Sequence, residues 1–227
     1  MGDSGDFIFA RRPDGVLEFK GDFEGLYQSD PDPWGQSGGD PRMREYYEFS
    51  RMELAAAPPL VLLKNGLVLE VGCGIGYVTS FLATMAALDV AVEGMDISPS
   101  AIKSAKAHHP CIRFWVEDVG ASIVDRGFFA RYNIVILNQM LWYVLDRLPN
   151  VFRNVDRMLK PQGHLIVQNA FLDNQEYGRE VVDGFNGLLK YVLDHHVKDF
   201  QVVSASYDAS PRFAPYHDGL LVLQSTR

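Results

Sequence analysis

The sequence predicts an open α/β sheet with helices on both faces. Three observations predict it. Short apolar runs alternate with helical patterns along most of the chain, the pattern of βαβ units. The first run ends in a carboxylate and a glycine-rich turn, Leu67-Val68-Leu69-Glu70-Val71-Gly72-Cys73-Gly74-Ile75-Gly76-Tyr77. The second run ends in another carboxylate, Asp96, 20 residues past Gly76. That spacing returns the chain to a neighbouring strand end.

The first run is too short for a helix and suits a strand buried on both faces. Glycine has no Cβ, so the chain can turn sharply after it and let a ligand touch the backbone. Tyr77 to Thr84 reads as a helix whose first N–H groups face the turn. Val90–Asp96 is the second strand. Ser98 is the expected N-cap of the next helix, with Pro99 in its first position. Residues 112–116 and 132–138 read as the third and fourth strands, and Leu148 to Leu159 as a helix. Lys160-Pro161-Gln162-Gly163 turns into a fifth strand over 164–169. A helix from Arg179 to His196 and strands over 200–206 and 220–224 complete seven strands.

Ahead of the first strand, residues 1–40 are rich in Gly, Asp and Pro and read as irregular, with Trp34 inside the turn-forming run Asp30–Gly35. Residues 41–57 read as a helix stopped by Pro58-Pro59. The expected division is an N-terminal arm and capping helix over 1–60 and an α/β domain over 61–227.

The 227 residues suit one such domain with short additions. The net charge of −8 without a basic block argues against nucleic acid as a partner. The two cysteines are too few for a metal site and read as reduced packing residues. No signal peptide or membrane span is legible, so a cytoplasmic monomer or homodimer is expected.

Three carboxylates, Glu70, Asp96 and Asp118, end three successive strands. In an open α/β sheet, ligands bind outside those ends. Glu70 at the mouth of the turn disfavours a pyrophosphate and favours an ammonium or sulfonium. Tyr77 stands where a dinucleotide fingerprint wants its third glycine, and no Gly-Lys-Ser/Thr makes a P-loop. Asp96 can accept both hydrogen bonds of a ribose diol. Asp118 can accept from an exocyclic adenine amine.

From about Leu67 to Asn169, from the E-x-G-x-G-x-G motif through L-K-P-Q-G-H-L, the chain resembles the class I S-adenosylmethionine-dependent methyltransferases. The resemblance implies a Rossmann-like seven-stranded sheet with an antiparallel C-terminal strand, and S-adenosyl-L-methionine as cofactor. It implies that Gly72, Cys73, Gly74 and Gly76 border the methionine part, with Glu70 nearby. Asp96 would hold the ribose, Ile97 would flank the adenine, and Asp118 and Val119 would hold its edge. Asn138 would lie beneath the methionine part and Tyr143 beside the methyl group. Tyr27, Asp32-Pro33-Trp34 and Tyr46-Tyr47-Glu48 resemble a small-molecule subgroup that includes the nodulation N-methyltransferase. There Tyr47 would cover the methionine end, and the acceptor would be a small molecule or saccharide, methylated at O or N.

The last two strands should form a hairpin with its tip at the ligand end. His217 is then the leading candidate for a general base, beside Tyr143 as the second catalytic residue. The rival readings are a nicotinamide-dependent oxidoreductase and an inactive cofactor-binding module.

Overall fold

The apolar runs pair into one sheet, and the segments between them cover its faces. The computed structural model describes residues 5–38, 41–122 and 124–227. Its N-terminal arm is ordered where the composition suggested irregular chain. It holds α1 (Gly5–Ile8), the hairpin β1 (Phe9–Arg11) and β2 (Leu17–Phe19), and α2 (Phe23–Ser29). The turn-forming residues act as caps rather than breakers: the Asp22 carboxylate accepts from Gly25 N at 2.9 Å at the start of α2. Phe9 and Phe23 give the arm an apolar anchor, their ring centroids 6.3 and 5.2 Å from that of Tyr143.

After the arm come α3 (Pro41–Ala55) and α4 (Pro58–Leu62). The expected stop at Pro58-Pro59 is the start of α4, because proline fits a first helical turn, where its N–H would be unpaired anyway. The chain then runs β3 (Asn65–Val71), α5 (Tyr77–Met85), β4 (Asp89–Asp96), α6 (Pro99–His108), β5 (Arg113–Val116) and β6 (Tyr132–Asn138). It closes with α7 (Leu148–Met158), β7 (Leu159–Leu172), α8 (Gly184–His195), β8 (Phe200–Tyr207) and β9 (Tyr216–Ser225). Ser98 caps α6 as expected, its hydroxyl accepting from Ala101 N at 3.1 Å. The expected turn at 160–163 lies inside β7, where the register against β6 shifts and Gln162 takes φ 61°. α8 begins at Gly184, five residues later than the sequence suggested.

The seven strands lie in the order β5-β4-β3-β6-β7-β9-β8. The first five are mutually parallel, and β9 is inserted antiparallel between β7 and β8. The fold is the Rossmann-like methyltransferase sheet. The chain reverses its direction of winding between β3 and β6, so the crevice for a ligand opens at their carboxyl ends.

Alternate residues feed two cores. Val68, Ile134, Ile136, Ile166 and Val222 face Leu54 of α3 and Val78 and Leu82 of α5. Leu69, Val135, Leu165 and Leu221 face α7 and α8. Phe152 of α7 is one of the largest anchors of the second core, 1% exposed, with its ring stacked 4.3 Å from His196. Phe152→Ala should cost about 3–5 kcal/mol, the range for emptying a buried aromatic site. Urea unfolding of the pair measures it.

Candidate functional site

The glycine turn after β3 is held by the neighbouring strand. Gly72 N and Cys73 N both donate to Met95 O, at 2.8 and 3.0 Å. Gly74 N donates to Asp96 Oδ2 at 2.8 Å, and Ser98 N donates to Asp96 Oδ1 at 2.9 Å. The turn needs glycine: Gly72, Gly74 and Gly76 have φ of 72°, 53° and 86°. A Cβ on Gly74 would stand 2.6 Å from the Tyr27 hydroxyl.

Beyond the turn lies a cavity of about 770 Å³. Of the residues singled out in the sequence, Glu70, Gly72, Cys73, Gly74, Asp96 and Ile97 line it. So do Asp118, Val119 and Asn138, and Tyr47 and Tyr143. Two do not. Gly76 caps α5, and its open side is filled by Phe114, 2.8 Å from where a Cβ would be. His217 is the larger correction. It sits within β9 rather than in the hairpin tip, while its neighbour Tyr216 lines the cavity. Side chains alternate along a strand, so His217 turns to the other face. Its ring nitrogens lie 3.2 Å from Asp208 O and 3.3 Å from Asp173 Oδ2, outside the cavity lining.

The charges in the cavity are unevenly paired. Glu70 is 2% exposed and accepts from the Thr79 hydroxyl and the Asn138 amide. Burial pushes its carboxyl up to about 8. Burial also raises the carboxyl of Asp96, against the pull of its backbone donors. Asp118 Oδ1 accepts from Gly120 N at 2.8 Å and Oδ2 from Arg147 at 2.6 Å. Asn138 Oδ1 is buried with no donor. Arg51 of α3 also lines the cavity, and its Nε and Nη2 are buried with no acceptor. Burial holds its guanidinium below the usual range.

The arm makes the far wall. The Tyr47 hydroxyl donates to Trp34 O at 2.7 Å, and Trp34 Nε1 donates to the Tyr27 hydroxyl at 3.0 Å. The Trp34 ring lies 5.8 Å from that of Tyr143. Glu24 of α2 fastens the arm, accepting from the Ser98 and Ser100 hydroxyls at 2.6 and 2.7 Å.

Residues 68–163 match the family model described as "Methyltransferase domain". That stretch, from within β3 into β7, is similar to methyltransferase domains. It is 27% identical over 149 residues to methyltransferase 235L of Invertebrate iridescent virus 6. That match covers 66% of this chain and 51% of the viral protein, so the chain spans about half the length of the curated relative it matches. Among solved structures, magnesium protoporphyrin IX methyltransferase of Synechocystis PCC 6803, with bound S-adenosylmethionine, is similar with a TM-score of 0.65. The identity is 19%, over 89% of this chain and 94% of that one. The N-methyltransferase NodS of Bradyrhizobium japonicum WM9 follows with a TM-score of 0.59 and 18% identity, over 84% and 99% of the two chains.

S-adenosyl-L-methionine is the group bound in the Synechocystis neighbour, and the cavity of this chain has chemistry that matches it. An orphaned carbonyl on Asn138 and the carboxyl of Glu70 could take an ammonium. The unpaired nitrogens of Arg51 could take a carboxylate. Asp96 accepts one backbone N–H on each oxygen and keeps lone pairs for a diol. Among the described residues no cluster could hold a metal ion, and no helix is long and apolar enough to cross a membrane.

Sequence reasoning missed Arg51, although it stands four residues after Tyr47 on one helix, a spacing that puts both on the same face. It also missed Gln139 and Asp218, which gain their surroundings only from contacts far along the chain.

The Glu70 carboxyl gives a pH signature. Its folded value of about 8 lies above its ordinary 4.5, so the folded chain binds this proton more tightly than the unfolded chain. Stability from this group is full below about pH 4.5 and is lost as pH rises toward about 8. The melting temperature of the empty protein should therefore fall between those limits, and Glu70→Gln should flatten the fall.

Proposed function

We propose that the protein transfers a methyl group from S-adenosyl-L-methionine to a nitrogen or oxygen of an uncharged or cationic small molecule. One observation carries this reading: the glycine turn and three strand-end carboxylates line the same cavity as a set of aromatic rings. The cavity lies within the size range of small-molecule sites.

When bound, the cofactor supplies a methyl group already activated by the positive charge on sulfur. The protein's part is to bind, orient and exclude water. In this reading Asp96 holds the ribose hydroxyls, and Ile97, Asp118 and Val119 hold the adenine. Glu70 and Asn138 take the ammonium, and Arg51 takes the carboxylate. Tyr47 and Tyr143 stand along the methyl end, with Trp34 closing that end against solvent.

The cavity's own chemistry supports the acceptor class. Phe9, Phe23, Trp34, Trp142, Tyr177 and Tyr216 offer ring faces and edges. Such surfaces pack on the C–H faces of a saccharide or on another ring. The carboxylates Asp30, Asp32 and Glu176 line the same cavity. Glu176 is paired with Arg11 at 2.7 Å, and Arg147 of the lining is paired with Asp118 at 2.6 Å, which leaves Asp30 and Asp32 without an arginine partner among the salt bridges of the described residues. An anionic acceptor would meet repulsion there, and an amine or a neutral hydroxyl would not. The resemblance of the N-terminal portion to the nodulation N-methyltransferase subgroup supports an amine-bearing saccharide as one member of that class.

The test is to incubate the protein with methyl-labelled S-adenosylmethionine and the small-molecule fraction of a cell extract, then identify the labelled product. Label on an amine or hydroxyl of a neutral or cationic compound is expected. Label on a carboxylate or phosphate ester would overturn the acceptor class. Tight donor binding without any labelled product would favour a cofactor-binding module.

A further inference from the structure

Behind the acceptor side of the cavity lies a buried carboxylate that the donor site does not use. Asp218, on β9, is 7% exposed. Three donors from separate parts of the chain hold it. The Tyr46 hydroxyl of α3 donates to Oδ1 at 2.6 Å, and the Gln139 amide donates to Oδ1 at 3.2 Å. The Gln168 amide of β7 donates to Oδ2 at 3.1 Å.

Two of those donors, Tyr46 and Gln139, line the cavity. Gln139 follows β6 directly and takes φ 54°, a left-handed backbone that a non-glycine residue rarely adopts. Strain of that kind persists where the surroundings over-determine it, and it gathers at working sites. Here it is fixed from both ends of the side chain: Gln139 Oε1 accepts from Ala170 N at 2.7 Å, while Nε2 reaches the Tyr46 hydroxyl at 3.3 Å. Tyr46 is further set by Tyr216, whose ring is stacked on it at 5.2 Å. A hydroxyl oxygen has two lone pairs. Tyr46 spends its proton on Asp218 and one lone pair on Gln139, so a second lone pair is left for a ligand in the cavity.

We propose that Tyr46, backed by Asp218, accepts the proton that the methyl acceptor gives up. The proposal rests on the function proposed above. As the acceptor's nitrogen or oxygen forms its bond to the methyl carbon, the carbon–sulfur bond breaks and its electron pair stays on sulfur. The acceptor's N–H or O–H proton moves to the Tyr46 oxygen, and the Tyr46 proton moves to Asp218. Tyr46 ends neutral and Asp218 ends protonated, to be discharged to solvent after product leaves. Burial and the Asp218 carboxylate push the Tyr46 hydroxyl far above its ordinary value, so a free tyrosinate does not form and the proton must pass through to the carboxylate. Asp218 acts through Tyr46 and does not touch the acceptor.

The alternative role for this network is to pin α3, and with it Tyr47 and Arg51, over the donor site. Three measurements on Tyr46→Phe and Asp218→Asn separate the two. They are label transfer in a single turnover to the small-molecule extract fraction, calorimetric affinity for S-adenosylmethionine, and the melting temperature. Loss of general-base assistance should slow transfer by about a hundredfold or more. Donor affinity should stay within about twofold of the parent, since no donor contact is removed. Transfer by Tyr46→Phe at a rate close to the parent's would overturn the relay and leave methyl transfer standing. Donor affinity falling in step with transfer would also overturn it, because the network would then only position α3. A parent protein that binds donor and labels nothing would sink the proposed function itself, and the relay with it.

Discussion

Asp96 makes the glycine turn a binding surface rather than a loop. Its carboxylate receives Gly74 N from one strand end and Ser98 N from the start of the next helix. The carbonyl of Met95 takes two more N–H groups from the turn. Gly72, Gly74 and Gly76 are thereby held in left-handed conformations, where an added Cβ would crowd Met140, Tyr27 and Phe114. Remove that tie and the turn has no reason to keep one shape. The strand order puts it at the switch point of the sheet, between β4 and β6, where neighbouring strand ends add their own side chains.

The electrostatics of the cavity follow from burying charged groups without close partners for all of them. Glu70 is driven toward its neutral form, and Arg51 is left with two nitrogens unpaired. Groups in that condition are costly to keep unless a ligand supplies the missing partners. A zwitterionic amino-acid tail on a cationic nucleoside has the charges that Glu70, Asn138 and Arg51 lack. The N-terminal arm completes the enclosure, since its Trp34 and Tyr27 rest on the glycine turn and on Tyr47.

Much of this was legible in the sequence, and for local reasons. The strand β6 begins and ends where the apolar run does, and the Ser98-Pro99 pair starts α6 as capping chemistry requires. Glu70, Asp96 and Asp118 meet because each lies at the end of its strand, which spacing alone reveals. The arm was not legible: its Asp and Gly residues look like loop composition and serve as helix caps and hairpin turns. His217 was misjudged for a reason of one residue. Whether a side chain faces the cavity depends on strand phase, and Tyr216 and Asp218 took the inner face. The Asp218 network joins residues 172 positions apart, as in its bond to Tyr46, and no local pattern announces it.

A crystal structure with S-adenosylmethionine bound decides whether strand-end acids and the glycine turn enclose a cationic nucleoside. The ribose hydroxyls are expected on Asp96 and the donor's ammonium against Asn138 and Glu70. A nucleoside bound elsewhere, or those carboxylates turned away from it, would contradict that expectation.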